Sequence, residues 1–351
     1  MRVYSKSWFG GSVSVGCMNA PRCTLEDYVQ FLLASPRSYC LTEAARVQPD
    51  TPGAPAHDSY TRLLNRVEPD PQTLWDEVRP LVDRSAGILV LDDTVLDKPH
   101  AKHMGLVAPF WSGRHQRIVR GINLVSLVWT DGDRVYPTDY QLVNPATRPK
   151  QTKNDLFAEL VRQAHARGFR PVCVCFDSWY SGKDNLKVVR ELGWTFLTPV
   201  RCNRRVNPDR TGNRPIEQCA IASTGTVVHL EGFGLVKAFR IATTDGGTEH
   251  WITNDLEMDE VQRRVLAERA WGIEEYHRGL KQCTGAERCQ VRMSRAQRVH
   301  IGCAIRAFVR LEWHRFTTGI SWIEAKLQIV RAAVRAYLAR PTIELPHCAT
   351  A

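Results

Sequence analysis

The chain of 351 residues holds 11 cysteines but no Cys-x-x-Cys pair. The cysteines are odd in number and irregularly spaced, which argues against a disulfide framework and for a reducing compartment. No run approaches the ~18 apolar residues of a membrane helix. Residues 1–23 contain no apolar h-region, so no secretory signal is expected there. No Gly-x-Gly-x-x-Gly follows the first strand pattern, which removes the dinucleotide fingerprint. No internal repeat of fixed period is visible. Acid is also in short supply: Asp and Glu number 37 against 47 Lys and Arg, a net charge of +10. A hydrophobic share of 43% with 24% charged residues excludes disordered and collagenous chains. A globular protein with this excess should favour polyanions, nucleic acid first.

Residues 24–84 read as short helices. Thr24 with Asp27 forms a capping box ahead of Leu25, Tyr28, Val29 and Leu32 at helical spacing. Thr51–Ala56 breaks the pattern. Asp58 is expected to cap a second run, and Leu74, Trp75, Val78 and Leu81 mark a third. This segment has six basic residues against ten acidic, opposite in sign to the whole chain. At Gly87 the texture changes. Gly87–Asp92 reads as a buried strand ending in acid. Ile118–Trp129 and Val135–Leu142 follow, joined by Asp131-Gly132, a strong hairpin signal. Asp155 opens a helix ended by Gly168, Pro171–Asp177 is a second strand ending in acid, a helix covers about 184–192, and Thr195–Val200 is a fifth strand. Thr226–Leu230, Leu235–Ala242 and His250–Thr253 read as strands of an insertion, with Thr244-Asp-Gly-Gly as one turn. Helices are expected at about 258–282, 294–316 and 321–339. The order β-β-β-α-β-α-β, a meander followed by parallel alternation, predicts an α/β fold: a ribonuclease H-like mixed five-stranded sheet with helices, a β-strand insertion and a helical N-terminal domain.

Asp92 and Asp177 end the first and fourth strands, so adjacency of those strands sets two carboxylates side by side. Such a pair repels and takes up either a proton or a divalent cation. Hard oxygen ligands favour Mg²⁺, and two ions ~3.5–4 Å apart stabilise the attacking and leaving oxygens of a phosphodiester displacement. A third carboxylate is expected from the helix near 274. There Glu274, His277, Arg278 and Lys281 form a polar stripe opposite Val265, Trp271 and Leu280.

Leu91-Asp-Asp-Thr-Val95, Phe176-Asp-Ser-Trp-Tyr180 and Trp271-Gly-Ile-Glu-Glu-Tyr-His-Arg-Gly-Leu-Lys-Gln282 resemble the three motifs of bacterial insertion-sequence DDE transposases, in the branch with a β insertion before the glutamate helix. The likeness spans about residues 85–315. That branch's Asp-x-Thr selects Asp92 over Asp93, and its aromatic three residues after the second acid is matched by Tyr180. Its Tyr-x2-Arg-x3-Glu-x6-Lys is matched by Glu274 and Lys281 alone, since Ala267 and Ala270 occupy the Tyr and Arg slots and Arg269 is one position off. The resemblance implies that Asp92, Asp177 and Glu274 hold two Mg²⁺ ions, with Mn²⁺ as a substitute. It implies cleavage at transposon ends and attack of the freed 3′-hydroxyl on target DNA. It also implies double-stranded DNA partners (terminal inverted repeats and target), a homodimer on DNA, no membrane, and the bacterial cytoplasm and nucleoid as location. Asp93, Thr94, Tyr180 and His277 would support the site. Lys281, Arg278, Arg201, Arg204, Arg205, Arg295 and Arg298 would hold DNA phosphates.

The expected organisation is a disordered tail (1–23), helices that bind DNA ends or aid assembly (24–84), a catalytic domain (85–200 and 255–340), an insertion (201–254) and a C-terminal tail (341–351). The charge excess concentrates at 201–215 and 288–315. Trp111 reads as a packed side chain beside a turn, and residues 97–103 as a solvated loop. Two other readings remain: a different metal nuclease on the same core, and a non-catalytic DNA-binding protein derived from a transposase.

Overall fold

The computed structural model describes residues 22–113, 115–147, 151–243 and 246–343. Most of the expected N-terminal tail, the Thr244 turn and most of 341–351 lie outside the described residues.

Four short helices come first: α1 (Leu25–Ala34), α2 (Leu41–Arg46), α3 (His57–Arg66) and α4 (Pro71–Val78). The Thr24–Asp27 capping box is present. Asp58 does not cap α3. That helix starts two residues earlier, with Ala56 as its cap and no side-chain bond, so Asp58 lies in the first turn and favours the helix dipole instead.

The sheet begins with β1 (Ile88–Asp97), β2 (Ala108–Ser112), β3 (Arg117–Thr130) and β4 (Val135–Leu142). Helix α5 (Lys153–Ala166), β5 (Cys173–Phe176), α6 (Lys183–Glu191) and β6 (Phe196–Val200) follow. β1 pairs antiparallel with β3 and parallel with β5, β3 pairs antiparallel with β4, and β5 pairs parallel with β6. The order β4-β3-β1-β5-β6 is the ribonuclease H-like sheet expected from sequence. Two details differ. β1 does not end at Asp92 but continues to Asp97, because β3 supports it along its whole length. And β2, read as loop, pairs with the first part of β3.

The insertion supplies β7 (Arg205–Asn207), β8 (Arg214–Pro215), β9 (Thr226–Leu230), β10 (Gly234–Ala242) and β11 (Thr248–Thr253). These strands do not form a sheet of their own. β11 pairs antiparallel with β6, and β10, β9, β7 and β8 continue outward, giving one eleven-stranded sheet among the described residues.

The expected single helix at 258–282 is two helices, α7 (Glu260–Ala270) and α8 (Gly272–Cys283), which break at Trp271. Its predicted apolar face is also corrected. Trp271 is exposed and Val265 partly so, whereas Ile273, Tyr276, His277 and Leu280 are buried. Glycine allows α8 its tight packing. A Cβ on Gly272 would lie 2.7 Å from Val135, and one on Gly279 2.7 Å from Phe308 and 2.8 Å from Trp322. The chain closes with α9 (Ser294–Thr318) and α10 (Trp322–Ala339).

The N-terminal helices share one hydrophobic cluster with the sheet and α9. The Tyr28 hydroxyl and His300 Nδ1 are 2.8 Å apart. Arg306 and Arg310 of α9 donate to Glu77 at 2.5–3.3 Å, and Arg310 also to Glu26 at 2.5 Å. The acid excess of residues 24–84 is therefore directed at α9. Burial alone would raise the Glu77 carboxyl, but the hydrogen bonds from Arg306 and Arg310 outweigh it and hold the group below its ordinary range.

Glu77→Ala leaves Arg306, whose side chain is 10% exposed, without its main partner. The expected cost is ~2–3 kcal/mol, read as a lower Tm and denaturation midpoint. Because the folded-state pKa of Glu77 is depressed, its contribution is present above the unfolded carboxylate pKa and lost as pH falls through the folded value. Wild type and Glu77→Ala should therefore converge in stability on acidification below about pH 4.

Candidate active site

The parallel ladder of β1 and β5 stops at the Leu91–Phe176 pair. The next residues on the two strands are Asp92 and Asp177. Beyond that point β1 loses its neighbour on one edge, and the two carboxylates face the gap, as ligand groups do beyond strand ends in open α/β sheets. Asp177 Oδ1 accepts the Trp179 N–H at 2.8 Å, which fixes the turn after β5. α8 crosses near β1, anchored by Lys281, whose Nζ donates to the Val95 carbonyl at 2.8 Å. Glu274, two turns earlier on the same face, is thereby carried to the same cavity, of about 700 Å³, that Asp92 and Asp177 line.

The electrostatics of this cavity are strained. Burial pushes the Asp92 carboxyl well above its ordinary range, and Asp93, Asp177 and Glu274 push it further. The Asp177 carboxyl is raised by burial and then by Asp93, against the Trp179 N–H. His277 Nδ1 lies 3.9 Å from Asp92 but gives no compensation. Its buried ring is pushed down to about 3, first by burial and then by Lys281, so it is neutral near pH 7. Its Nε2 is buried with no hydrogen-bond partner.

Asp93 differs from its neighbour. It accepts from the Tyr180 hydroxyl and Lys153 Nζ, each at 2.7 Å, and from Asn123 Nδ2 at 2.6 Å. Tyr180 is fully buried against Phe157, and burial drives its hydroxyl far up, so it stays a donor. Asp93 thus ties β1 to β3, to α5 and to the turn that carries Asp177. Thr94 lines the cavity.

Of the nominated basic residues, Lys281, Arg278 and Arg201 reach the cavity. Arg278 is well exposed and 3.6 Å from Glu275. The other four are held elsewhere. Arg204 donates to the Ser181 carbonyl at 2.7 Å, Arg205 lies 3.4 Å from Glu231, Arg295 lies 2.6 Å from Glu68, and Arg298 is partly buried near Tyr140.

Three residues were missed by sequence reasoning: Lys153, Asn123 and Trp179. Lys153 carried a signal, since a cation in the first helical turn opposes the helix dipole and needs another reason to be there. The other two carried none apart from the Asp177 motif. Trp111, expected to be packed, is 62% exposed on the cavity rim, because it lies on β2, an edge strand, rather than beneath a turn. Trp179 is 50% exposed across from it, with Lys153 Nζ 4.6 Å from its ring centroid.

Residues 15–218 match the model of the DDE superfamily endonucleases. The chain belongs to that family. The match contains Asp92 and Asp177 and ends before Glu274. No curated protein resembles the chain closely enough to count as a relative. Similar solved structures include a piggyBac transposase synaptic complex with hairpin DNA, at 11% identity over 91% of this chain and 72% of that one, with a TM-score of 0.49. The Drosophila P element transposase strand transfer complex is 11% identical over 91% and 87%, with a TM-score of 0.28. The Mos1 strand transfer complex is 13% identical over 55% and 60%, with a TM-score of 0.20. Likeness at this level carries no argument about the site.

Members of this endonuclease family are generally dependent on divalent metals. The donor set suits such a cation: hard carboxylate oxygens, grouped in one cavity, with the carboxyls of Asp92 and Asp177 raised by burial and no neighbouring positive partner at Asp92. As placed, no three His, Cys, Asp or Glu side chains among the described residues converge closely enough to hold an ion. The acids of the endonuclease are grouped in one cavity but not closed into a ligand shell.

A carboxyl whose pKa rises on folding opposes folding while it is charged, and the penalty is relieved as pH falls through the folded-state pKa. Asp92→Asn should therefore unfold at a higher temperature than wild type at neutral pH, and the gap should narrow on acidification. Calorimetry across pH checks this, and a lower Tm for the variant would show that the carboxylate is already compensated.

Proposed function

We propose that this DDE endonuclease is a transposase, which cuts DNA at the ends of a mobile element and transfers the freed 3′-hydroxyl to target DNA. The observation that carries the reading is the convergence of Asp92, Asp177 and Glu274 on one cavity from β1, β5 and α8. In this reading the three acids hold Mg²⁺, two ions in the working state, with Mn²⁺ as a substitute. The cation, when bound, neutralises charge and polarises the phosphate.

The remaining steps belong to the chain's own residues. Arg278, Lys281 and Arg201 hold phosphates on either side of the scissile bond. Asp93, saturated by Tyr180, Lys153 and Asn123, keeps β1 and the Asp177 turn at a fixed spacing. Trp111 and Trp179 offer two exposed aromatic faces at the mouth, suited to stacking on bases of a strand end. The DNA path thus runs along the cavity between the insertion strands and α8. Since α1 and α4 engage the arginines of α9, we assign residues 24–84 to assembly of the fold rather than to DNA ends. Terminal inverted repeats and target DNA are the partners, and a homodimer the working unit. Among the described residues no helix is long and apolar enough to cross a membrane.

The decisive assay is cleavage and strand transfer on DNA carrying the inverted repeats that flank the gene. Asp92→Ala, Asp177→Ala and Glu274→Ala should each lower both by at least ~10³-fold. Chelation of divalent ions should abolish them. Activity that survives chelation overturns the reading. Cleavage without strand transfer favours a different metal nuclease on the same core, and DNA binding with no cleavage under any divalent ion favours a non-catalytic binding protein. Trp179→Ala should slow cleavage roughly tenfold, as expected for loss of one base stack, with partial recovery in Trp179→Phe.

A further inference from the structure

α10 stands apart from the rest of the fold. Its first two turns are anchored. Trp322 Nε1 donates to Glu312 at 2.8 Å and the indole meets Phe308 edge-on at 4.9 Å. Lys326 Nζ donates to the carbonyls of Leu32, Leu33 and Ser35 at 3.2, 2.6 and 2.9 Å, closing the C-terminal end of α1. Beyond these anchors contact stops. No residue of α10 is buried, and every residue from Arg331 to Ile343 is exposed.

The exposed surface is not polar. Ile323, Leu327, Val330, Val334 and Tyr337 follow one another at spacings of four, three, four and three. Ile323 is 54%, Val334 49% and Tyr337 40% exposed. Helices in proteins draw most of their stability from packing of one face, and α10, of 18 residues, buries none. An apolar stripe along its full length is larger than a monomer ordinarily leaves bare. The 4-3 spacing has period 3.5, the repeat that fits a second helix with the same repeat in a coiled coil.

We propose that α10 is a dimerisation helix, pairing antiparallel with α10 of a second copy of this chain. The charges select that occupant. Glu324 and Arg331 lie one heptad apart on the same flank of the stripe and already form an ion pair within the helix. When two helices are laid antiparallel about a two-fold axis between Leu327 and Val330, Ile323 meets the partner's Val334 and Leu327 meets the partner's Val330. The same arrangement sets each Glu324 beside the partner's Arg331. Parallel pairing offers neither helix that match. Arg335 points off the stripe and stays in solvent. Four apolar layers are a small interface against the ~1,600 Å² of a standard complex, so the pairing is reversible and depends on concentration.

Sedimentation of the full chain without DNA tests this independently of the transposase reading. Wild type should pass from one chain to two as concentration rises. Val334→Glu with Tyr337→Glu, both exposed positions beyond the anchors of α10, should stay monomeric with unchanged helical content, while Arg335→Glu should behave as wild type. Glu324→Arg and Arg331→Glu should each weaken dimerisation roughly tenfold by setting like charges face to face. A mixture of the two single variants should recover the wild-type level, because one helix is then basic and the other acidic along that flank. A structural role for the Glu324–Arg331 pair within one helix cannot produce recovery on mixing. A wild type that remains monomeric, a Val334→Glu/Tyr337→Glu variant that still dimerises, or a mixture that does not recover would each overturn the proposal.

Discussion

The structure turns on the point where the parallel ladder between β1 and β5 stops. One residue pair further, two carboxylates stand at adjacent register positions with no strand between them and solvent. Everything around them answers to that crowding. Asp93 is engaged by three donors, and His277 is buried and uncharged. The cations of the cavity are tied back: Lys153 to Asp93, Lys281 to a backbone carbonyl. Asp92 is left with no basic partner but the neutral His277, a costly arrangement in a resting protein and a useful one for a protein that recruits a cation.

Sheet order was legible in the sequence, because alternation of strand and helix patterns is a local signal, and the acids singled out there, Asp92, Asp177 and Glu274, line one cavity in the fold. The failures share a cause. Asp92 lies in the middle of β1 rather than at its end, since strand length is set by the partner β3 and not by the run itself. The insertion looked separate because nothing local to β11 announces its pairing with β6. The break at Trp271 was marked only by Gly272, a weak helix former that the helical pattern on either side masked; a Cβ there would lie 2.7 Å from Val135. His277 was read as part of a polar stripe and is buried, since the packing of α8 against its neighbours, not the residue's polarity, decides its place.

Charge gave the clearest reversal. The excess of +10 predicted contact with polyanions, and its concentration in residues 288–315 predicted where. In the fold, Arg295, Arg306, Arg310 and Arg315 all face acids of the same chain, three of them reaching into α1, α4 or the segment after α3. The acidic character of the N-terminal helices and the basic character of α9 are two halves of one packing arrangement. Of the basic residues nominated for DNA, the ones that line the cavity are a smaller set, Arg201, Arg278 and Lys281, and their value lies in position rather than number.

α8 links the two ends of this account. One of its faces carries Glu274 and Lys281 to the acids of the sheet. On another, Gly279 lets Phe308 of α9 and Trp322 of α10 approach to the limit of contact. Trp322 is also the residue that anchors α10, through Glu312, whose other oxygen accepts the N–H of Val135 at the start of β4. α8 and α10 therefore meet at one aromatic junction, where a Cβ on Gly279 would lie 2.7 Å from Phe308 and 2.8 Å from Trp322. Beside that junction a cavity of about 820 Å³, lined by Gly279, Trp322 and Ile323, leaves the rest of the α8–α10 seam open. The acids are grouped but not closed around an ion. If they act as proposed, closing them requires a shift of α8 against β1, and the Gly279 junction is where a partner held on α10 would bear on that shift.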